Sequence, residues 1–465
     1  MTLAPKISIL AALLLAGTGT AWAQAETAPA PVPAPTPTPA PQSVPVPDAT
    51  AASEPAQEEV PADTPPPPTT DIISGRTLSI LLDGRLVAAD GHKRFSDGGT
   101  SITRFSGAKN GDFRVEPLPI EADLIWTPHF TSSLSGNVSV AWQRDQENAV
   151  DVIESFVTFL PPRSGKVSIS AKAGLYWPEI SLEHATGGAW STVHTITPSA
   201  INSWVGEETK VVGAEATLTA SLGNHDISAT AGVFGFNDTS GTLLSFRGWA
   251  LHDMKATMFG RFKLPPRNQF MTGAQEDVTR STIELDNRPG FYGRIEWRPP
   301  APFTINAFYY DNRGNPEAFT PNLQWGWRTR FANLGLTFEP VQGTRILAQG
   351  MYGTTQMGFK DNGVYWVDTM YRSAYLLVAH EIGKGEISGR AEFFNTRERG
   401  SEMDHDQEKQ DGWALTAAGR WSFTNNLTGF LEVLRVNSQR GTRARLGLPD
   451  DETQTVIQAS ARLRI

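Results

Sequence analysis

Alternation of apolar and polar residues with a period of two recurs from about residue 74 to residue 465. LSGNVSVAW places Leu134, Gly136, Val138, Val140 and Trp142 on one side, and VSISAKAGLYW does the same with Val167, Ile169, Ala171, Ala173, Leu175 and Trp177. FYGRIEWR sets Phe291, Gly293, Ile295 and Trp297 against Tyr292, Arg294, Glu296 and Arg298. This is the period of a β-strand with two unlike faces, and each run is about ten residues long, the length a tilted strand needs to cross a hydrocarbon core. In DGWALTAAGRWSF the apolar side carries an aromatic residue near each end, Trp413 and then Trp421 with Phe423. Aromatic residues gather where a membrane meets water, so this face is expected to meet lipid and Arg420, on the other face, to meet water inside a closed barrel.

The connections between strands alternate in length. Short turns are expected at residues 127–130, 161–165, 222–225, 299–302, 340–343, 382–385 and 424–426. Longer polar stretches lie near 90–112, 143–149, 178–208, 237–289, 311–322, 354–366, 397–411 and 438–452. Seven turns and eight loops, with both ends on the short-turn side, predict 16 antiparallel strands. A further hairpin within GTLLSFRGWALHDMKATMFGRF would raise the count to 18. Between Phe331 and Leu334 the alternation slips from odd to even positions, which predicts a bulge there or a misplaced strand boundary. The fold class is therefore all-β, a transmembrane antiparallel barrel. A soluble propeller with the same alternation should show a repeat of about 40 to 50 residues, and none is found.

The segment before the barrel divides in two. Residues 1–23 carry Lys6, an apolar run from Ile7 to Gly17 and Ala21-Trp22-Ala23, the order of a secretory signal peptide. Residues 24–73 are rich in proline and alanine, with 15 of the 33 prolines between Pro29 and Pro68. Such a segment buries too little apolar surface to offset its ordering entropy, so a disordered periplasmic linker is expected. The barrel then spans 74–465.

Composition removes several classes of function. There is no cysteine, so disulfides, thiolate metal sites and cysteine nucleophiles are excluded. The formal charge of −9 argues against a nucleic-acid partner. After the signal peptide no uncharged apolar stretch reaches 18 residues, which excludes membrane-spanning helices. His184, His194, His252, His380 and His405 are scattered, and there is no G-x-S-x-G, H-E-x-x-H or phosphate-binding loop. No catalytic residue, metal site or cofactor is expected. The acidic stretch SEMDHDQEKQD (401–411) does not match a calcium-loop spacing and reads as a solvated loop. SFRGWALHDMKATMF (245–259) is apolar for an exposed loop; it would plug the mouth, pack on a neighbouring barrel or contact an apolar solute.

Strand parity also sorts the charges. The inward face of the first seven strands is expected to carry Asp83, Glu121, Asp123, Glu154 and Glu215 as acidic pore-lining groups. The later strands are expected to carry Arg294, Arg298, Arg328, Arg330, Arg345, Arg372, Arg390, Arg420, Arg462 and Arg464 as basic ones. An acidic wall facing a basic one would set a transverse field that favours anions. The bland alternative is that these charges pair across a lumen that is polar in any case.

With its export signal, strand alternation and turn-loop asymmetry, the chain resembles bacterial outer-membrane porins of the 16-stranded general and phosphate-selective kind. The resemblance implies an outer-membrane location, passive diffusion of small anionic or polar solutes, contact with lipid and lipopolysaccharide, and a homotrimer. The stretch 178–208 stands where such porins fold a loop into the lumen. A closed-lumen barrel acting as a receptor, lipid-modifying enzyme or structural protein is the alternative. A receptor would need a large folded plug before the barrel, and only the proline-rich segment stands there. The chain departs from the porin pattern in closing on Ile465 rather than an aromatic residue.

Overall fold

The computed structural model describes residues 70–163, 165–184 and 192–465. Within them, 16 antiparallel strands close into one barrel. They are β1 (Leu78–Ala89), β2 (Arg114–Trp126), β3 (Leu134–Gln143), β4 (Asp151–Phe159), β5 (Val167–Tyr176), β6 (Val211–Leu222), β7 (His225–Gly235), β8 (Gly290–Arg298), β9 (Phe303–Asp311), β10 (Arg328–Phe338), β11 (Thr344–Asp361), β12 (Val364–Ile382), β13 (Gly385–Glu398), β14 (Gln410–Ser422), β15 (Leu427–Arg440) and β16 (Asp451–Arg464). Each strand pairs with its sequence neighbour, and β1 closes on β16 from Leu81↔Arg464 to Ala89↔Val456. Ile465 extends that seam, exchanging backbone hydrogen bonds with Ile80 at 2.8 and 3.0 Å. Closure leaves no unpaired sheet edge, the condition for a β-structure to cross lipid. No helix among the described residues is long and apolar enough to span a membrane.

Outward positions bear the lipid-facing pattern. Ile295, Leu334, Leu415 and Leu431 are exposed in the middle of their strands. Trp297, Trp421 and Phe423 are exposed toward the short-turn end, and Phe291, Tyr309, Phe393 and Trp413 toward the other. The residues 262–263 and 278–279 form a small ribbon outside the barrel, so the stretch that might have raised the count to 18 contributes no barrel strand. The expected signal peptide and most of the expected linker lie outside the described residues. Asp71 is already ordered, its N–H and C=O bonded to His129 at 2.8 Å each.

Two expectations of local structure are corrected. The polar stretch 354–366 is not a loop: β11 and β12 run on through it for 18 and 19 residues and turn at Asn362-Gly363. Both residues have positive φ, 48° and 86°, the pairing a tight two-residue hairpin requires. Nor is there a bulge at Phe331–Leu334, because β10 pairs in unbroken register with β9 and β11. The even positions of β10 face outward along its whole length, and Phe331 faces in.

Candidate functional site in the occluded lumen

The lumen is occupied by the barrel's own long connections. In the third loop, helix α1 (Ala200–Glu208) has all nine residues buried. Ser199 caps it, its Oγ accepting from Asn202 N at 3.2 Å. Inward carboxylates receive the free N–H groups at this end: Glu392 accepts from Ala200 N at 2.7 Å and Glu432 from Ile196 N at 2.6 Å. A helix N-terminus presents unsatisfied donors and partial positive charge, so wall carboxylates fix it in place. Arg390 completes the seat, donating to the carbonyls of Thr197 and Pro198 at 2.9 and 3.0 Å while paired with Glu183 and Glu392.

The loop between β7 and β8 packs against α1. Its residues 237–256 are buried, including the short helix α2 (Thr242–Phe246). Of the three roles open to SFRGWALHDMKATMF, the structure places most of it in the plug. Trp204 of α1 meets Trp249, Phe331 and Tyr371 at ring-centroid separations of 6.0, 5.3 and 5.3 Å. Phe331 continues the stack through Tyr310 to Phe234, at 4.9 and 5.0 Å. The result is an aromatic plate across the lumen, worth about 0.5–1.5 kcal/mol per ring pair beyond area burial.

Ion pairs join the two loops to each other and to the wall. Arg247 donates to both Glu207 oxygens, at 2.7 and 2.5 Å. Burial alone would raise Glu207, but Arg247, with His252 at 3.0 Å, holds its carboxyl down at about 2. His252 itself is pushed down by burial despite Glu207, and its Nδ1 accepts from Met254 N, which leaves the neutral ring's proton on Nε2 toward Glu207. Glu208 is pushed up to about 7 by burial, although Leu243 N and Trp204 Nε1 donate to it. Asp253 lies between Arg85 at 2.5 Å and Arg104 at 2.8 Å, and Lys255 reaches Glu121 at 2.8 Å.

The charges expected along the pore are thereby redistributed. Asp83, Glu121, Asp123, Glu154 and Glu215 all face inward. Asp83 pairs with Arg85 and Glu215 with Lys172, at 2.5 and 3.0 Å. Arg294, Arg298, Arg345, Arg390, Arg420, Arg462 and Arg464 also occupy inward positions. Most are locally neutralised: Arg294 and Arg298 share Glu296, Arg294 also reaches Glu179 at 3.4 Å, Arg345 pairs with Glu339, Arg420 with Glu386, and Arg462 lies 3.6 Å from Asp83.

Arg328, Arg330 and Arg372 do not line the lumen. They alternate outward with Ala332, Leu334, Ala374 and Leu376, while Thr329, Phe331, Tyr371 and Ser373 face in. The physical reason is the plate: its rings need apolar partners on the barrel wall, so aromatic residues mark the inner face of β10 and β12 rather than the lipid face.

What remains wet is the inner wall of β5–β8. Ser168, Ser170, Lys172, Thr217, Thr219, Ser228, Thr230 and Arg294 are half-buried, and Arg298 keeps 39% of its side chain exposed. Thr217 with Thr230, and Thr219 with Ser228, hydrogen-bond across the β6–β7 pair at 2.8 Å. The opposite wall, from β13 to β16, is covered by the third loop.

Sequence reading did not single out Trp204, Glu207, Arg247 or Asp253. The available signal was a run of Trp, Phe and Met in one loop beside Glu207-Glu208 in another. The histidines serve separate local contacts: His194 with Glu386 at 2.9 Å, His405 with Gly400 O at 2.8 Å, His380 with Thr344 at 2.8 Å and His184 against Trp177. The carboxylates of Asp238, Glu284 and Asp286 come within 4.8 Å of one another. Asp238 there accepts from Leu285 N and Asp286 N, so the cluster organises its own loop.

The family model described as a putative β-barrel porin, OmpL-like, matches residues 261–464. No curated protein matches the chain in sequence. Among solved structures, the chain is similar to an anion-selective porin from Comamonas acidovorans, with 10% identity, a TM-score of 0.46, and 84% of this chain and 99% of that one covered. A loop-deleted form of OmpT, an outer membrane protein of Vibrio cholerae, gives 7% identity, a TM-score of 0.46 and the same coverage. A mutant of the Rh. blastica porin gives 9%, 0.35, and 83% and 100% coverage. The closed 16-strand barrel and its lipid-facing belt lead to one conclusion: the chain is an outer-membrane β-barrel, similar over residues 261–464 to the OmpL-like porins.

Proposed function

We propose that the barrel passes small hydrophilic solutes by passive diffusion, with a modest preference for anions, and performs no catalysis. The observation that carries this reading is the half-buried polar wall of β5–β8 beside a plug that packs on the opposite wall. On that wall Arg294 lies between Glu296 and Glu179, while Arg298 shares Glu296 and keeps 39% of its side chain exposed, so the Arg298 guanidinium is the group that would lower the barrier to anions. Stable current steps from the refolded protein in a planar bilayer, with reversal potential biased to anions in a salt gradient, are the expected result. Silence from a folded, heat-modifiable barrel would overturn it. The second reading, a lumen closed at rest, is favoured by the packing of Trp204 and Trp249; it predicts silence that variants of the plug convert into current.

Two partners belong to the same proposal. The outward faces of β5, β6 and β7 set Ala171, Ala216 and Ala231 side by side, a smooth surface that supports a homotrimer through close barrel contact. The outward Arg330, near the start of β10, and Arg372, which lies level with Ala332 of β10 through Tyr352 of β11, suit the phosphates of lipopolysaccharide in the outer leaflet.

A further inference from the structure

A cavity of about 160 Å³ lies at the outer mouth, between the ends of β1 and β2, the first loop and the residues that follow β3. It is separate from the plug's ion pairs and from the β5–β8 wall. Three arginines and two carboxylates line it: Arg94, Arg114, Arg144, Asp97 and Glu116. Arg94 pairs with Asp97 at 2.8 Å and with Asp145 at 3.1 Å, and Arg114 with Glu116 at 2.7 Å. Arg144 makes no ion pair with any described residue, and its Nε is buried without a hydrogen-bond partner. Of the three lining arginines, Arg144 is the one without a carboxylate partner among the described residues. The remaining lining is Ser106 with Val87, Ala89, Leu118 and Phe105, of which Val87, Leu118 and Phe105 give a small apolar patch.

We propose that this cavity binds a small organic monocarboxylate, its carboxylate on the Arg144 guanidinium and its apolar body against Phe105, Val87 and Leu118. A guanidinium offers a planar fork that a carboxylate meets with two parallel hydrogen bonds. A buried donor without a partner costs free energy, which an anion arriving there recovers. The volume far exceeds the roughly 10–15 Å³ that one water requires, so an organic anion fits where the alternative is a small water cluster. Inorganic phosphate suits the cavity less, because its second charge would face Asp97 and Glu116, and it would leave the apolar lining without a partner.

Isothermal titration of the full-length protein, folded in detergent at neutral pH, tests this with benzoate as probe, benzyl alcohol as its neutral counterpart and phosphate as comparator. Saturable benzoate binding at one site is expected, with Arg144→Gln weakening it at least tenfold and Phe105→Ala weakening it less. Arg144 has no structural partner to lose, so the variant should keep the heat-modifiable mobility of the folded barrel; Arg144→Lys, which retains the charge, should bind between the two. Absence of saturable benzoate binding, undiminished binding by the folded Arg144→Gln variant, equal binding of benzyl alcohol, or tighter binding of phosphate would each overturn the proposal. Equilibrium binding is read independently of conductance, so failure of this site and failure of the channel reading are distinguishable.

Discussion

Glu207 and Arg247 come from different loops and meet in the middle of the barrel, carboxylate to guanidinium, through two hydrogen bonds of 2.7 and 2.5 Å. Both side chains are buried, so neither charge has water to fall back on. Removing one member of a buried pair while leaving the other costs about 3–5 kcal/mol. The barrel strands pair without help from either residue. Arg247→Met should therefore loosen the two loops and leave the barrel closed on itself. The expected result is larger or longer-lived current steps at unchanged strand content by circular dichroism; a global loss of strand signal would mean that the plug supports the barrel itself.

The same pair sets a pH dependence. Glu207 is held at about 2 in the folded plug against an ordinary value of 4.5. A carboxyl depressed on folding stabilises fully above its unfolded value and loses that contribution as pH falls through its folded value. The shift corresponds to about 3 kcal/mol, lost between roughly pH 5 and pH 2. Channel activity is expected to rise as pH falls through this window. Glu207→Gln should show high activity already at neutral pH and little further rise. A wild-type record that stays flat down to pH 2 would show that this pair does not hold the plug.

Strand parity gives a paired test of selectivity. Arg294→Gln with Arg298→Gln removes two charges from the wet wall, and the reversal potential should move toward cations. Arg328→Gln with Arg330→Gln removes two charges from the outer face and should leave reversal potential within measurement error. Equal shifts from both pairs would contradict the outward orientation of β10.

Trp204 is the centre of the aromatic plate, fully buried and in contact with three other rings. Truncating a buried tryptophan to alanine costs about 3–5 kcal/mol through lost contact and the cavity left behind. Trp204→Ala should lower the midpoint of thermal unfolding for the plug, followed by tryptophan fluorescence, before the barrel's own transition by circular dichroism. Coincident transitions, both shifted, would show that plug and barrel unfold as one unit.

Much of this architecture was legible because lipid imposes a simple rule on the outer face. Leu415, Ala417 and Gly419 must all face one way, and the run between Trp413 and Trp421 could be read without knowing any contact. The rule fails where the lumen is not filled with water. Phe331 and Tyr371 look like lipid-facing residues by composition, yet they turn inward because Trp204, far away in the chain, supplies an apolar partner. Arg328, Arg330 and Arg372, on the opposite parity of the same strands, therefore face outward. Arg390 faces inward as expected, but its neighbours are the carbonyls of Thr197 and Pro198, a long-range pairing that no local pattern encodes. The turn at Asn362-Gly363 was available in the sequence as an Asn-Gly pair between two polar strand ends; the polarity of those ends concealed it, because they do not lie in lipid.

The outward arginines give the last test. Among the described residues the Arg330 side chain hydrogen-bonds only Thr354, at 3.3 Å, and Arg372 stands beside Tyr352 of β11 in register. An exposed guanidinium next to an aromatic belt is placed to meet headgroup phosphates, and each such contact is charge-assisted. Double replacement, Arg330→Glu with Arg372→Glu, reverses the charge without touching lumen or plug. Added lipopolysaccharide should raise the thermal midpoint of the wild-type barrel in detergent by several degrees and raise that of the variant less, while phosphate-free lipid should raise both alike. An equal response of both proteins to lipopolysaccharide would remove these two residues from the lipid-binding face and leave their outward position as simple solvation above the membrane.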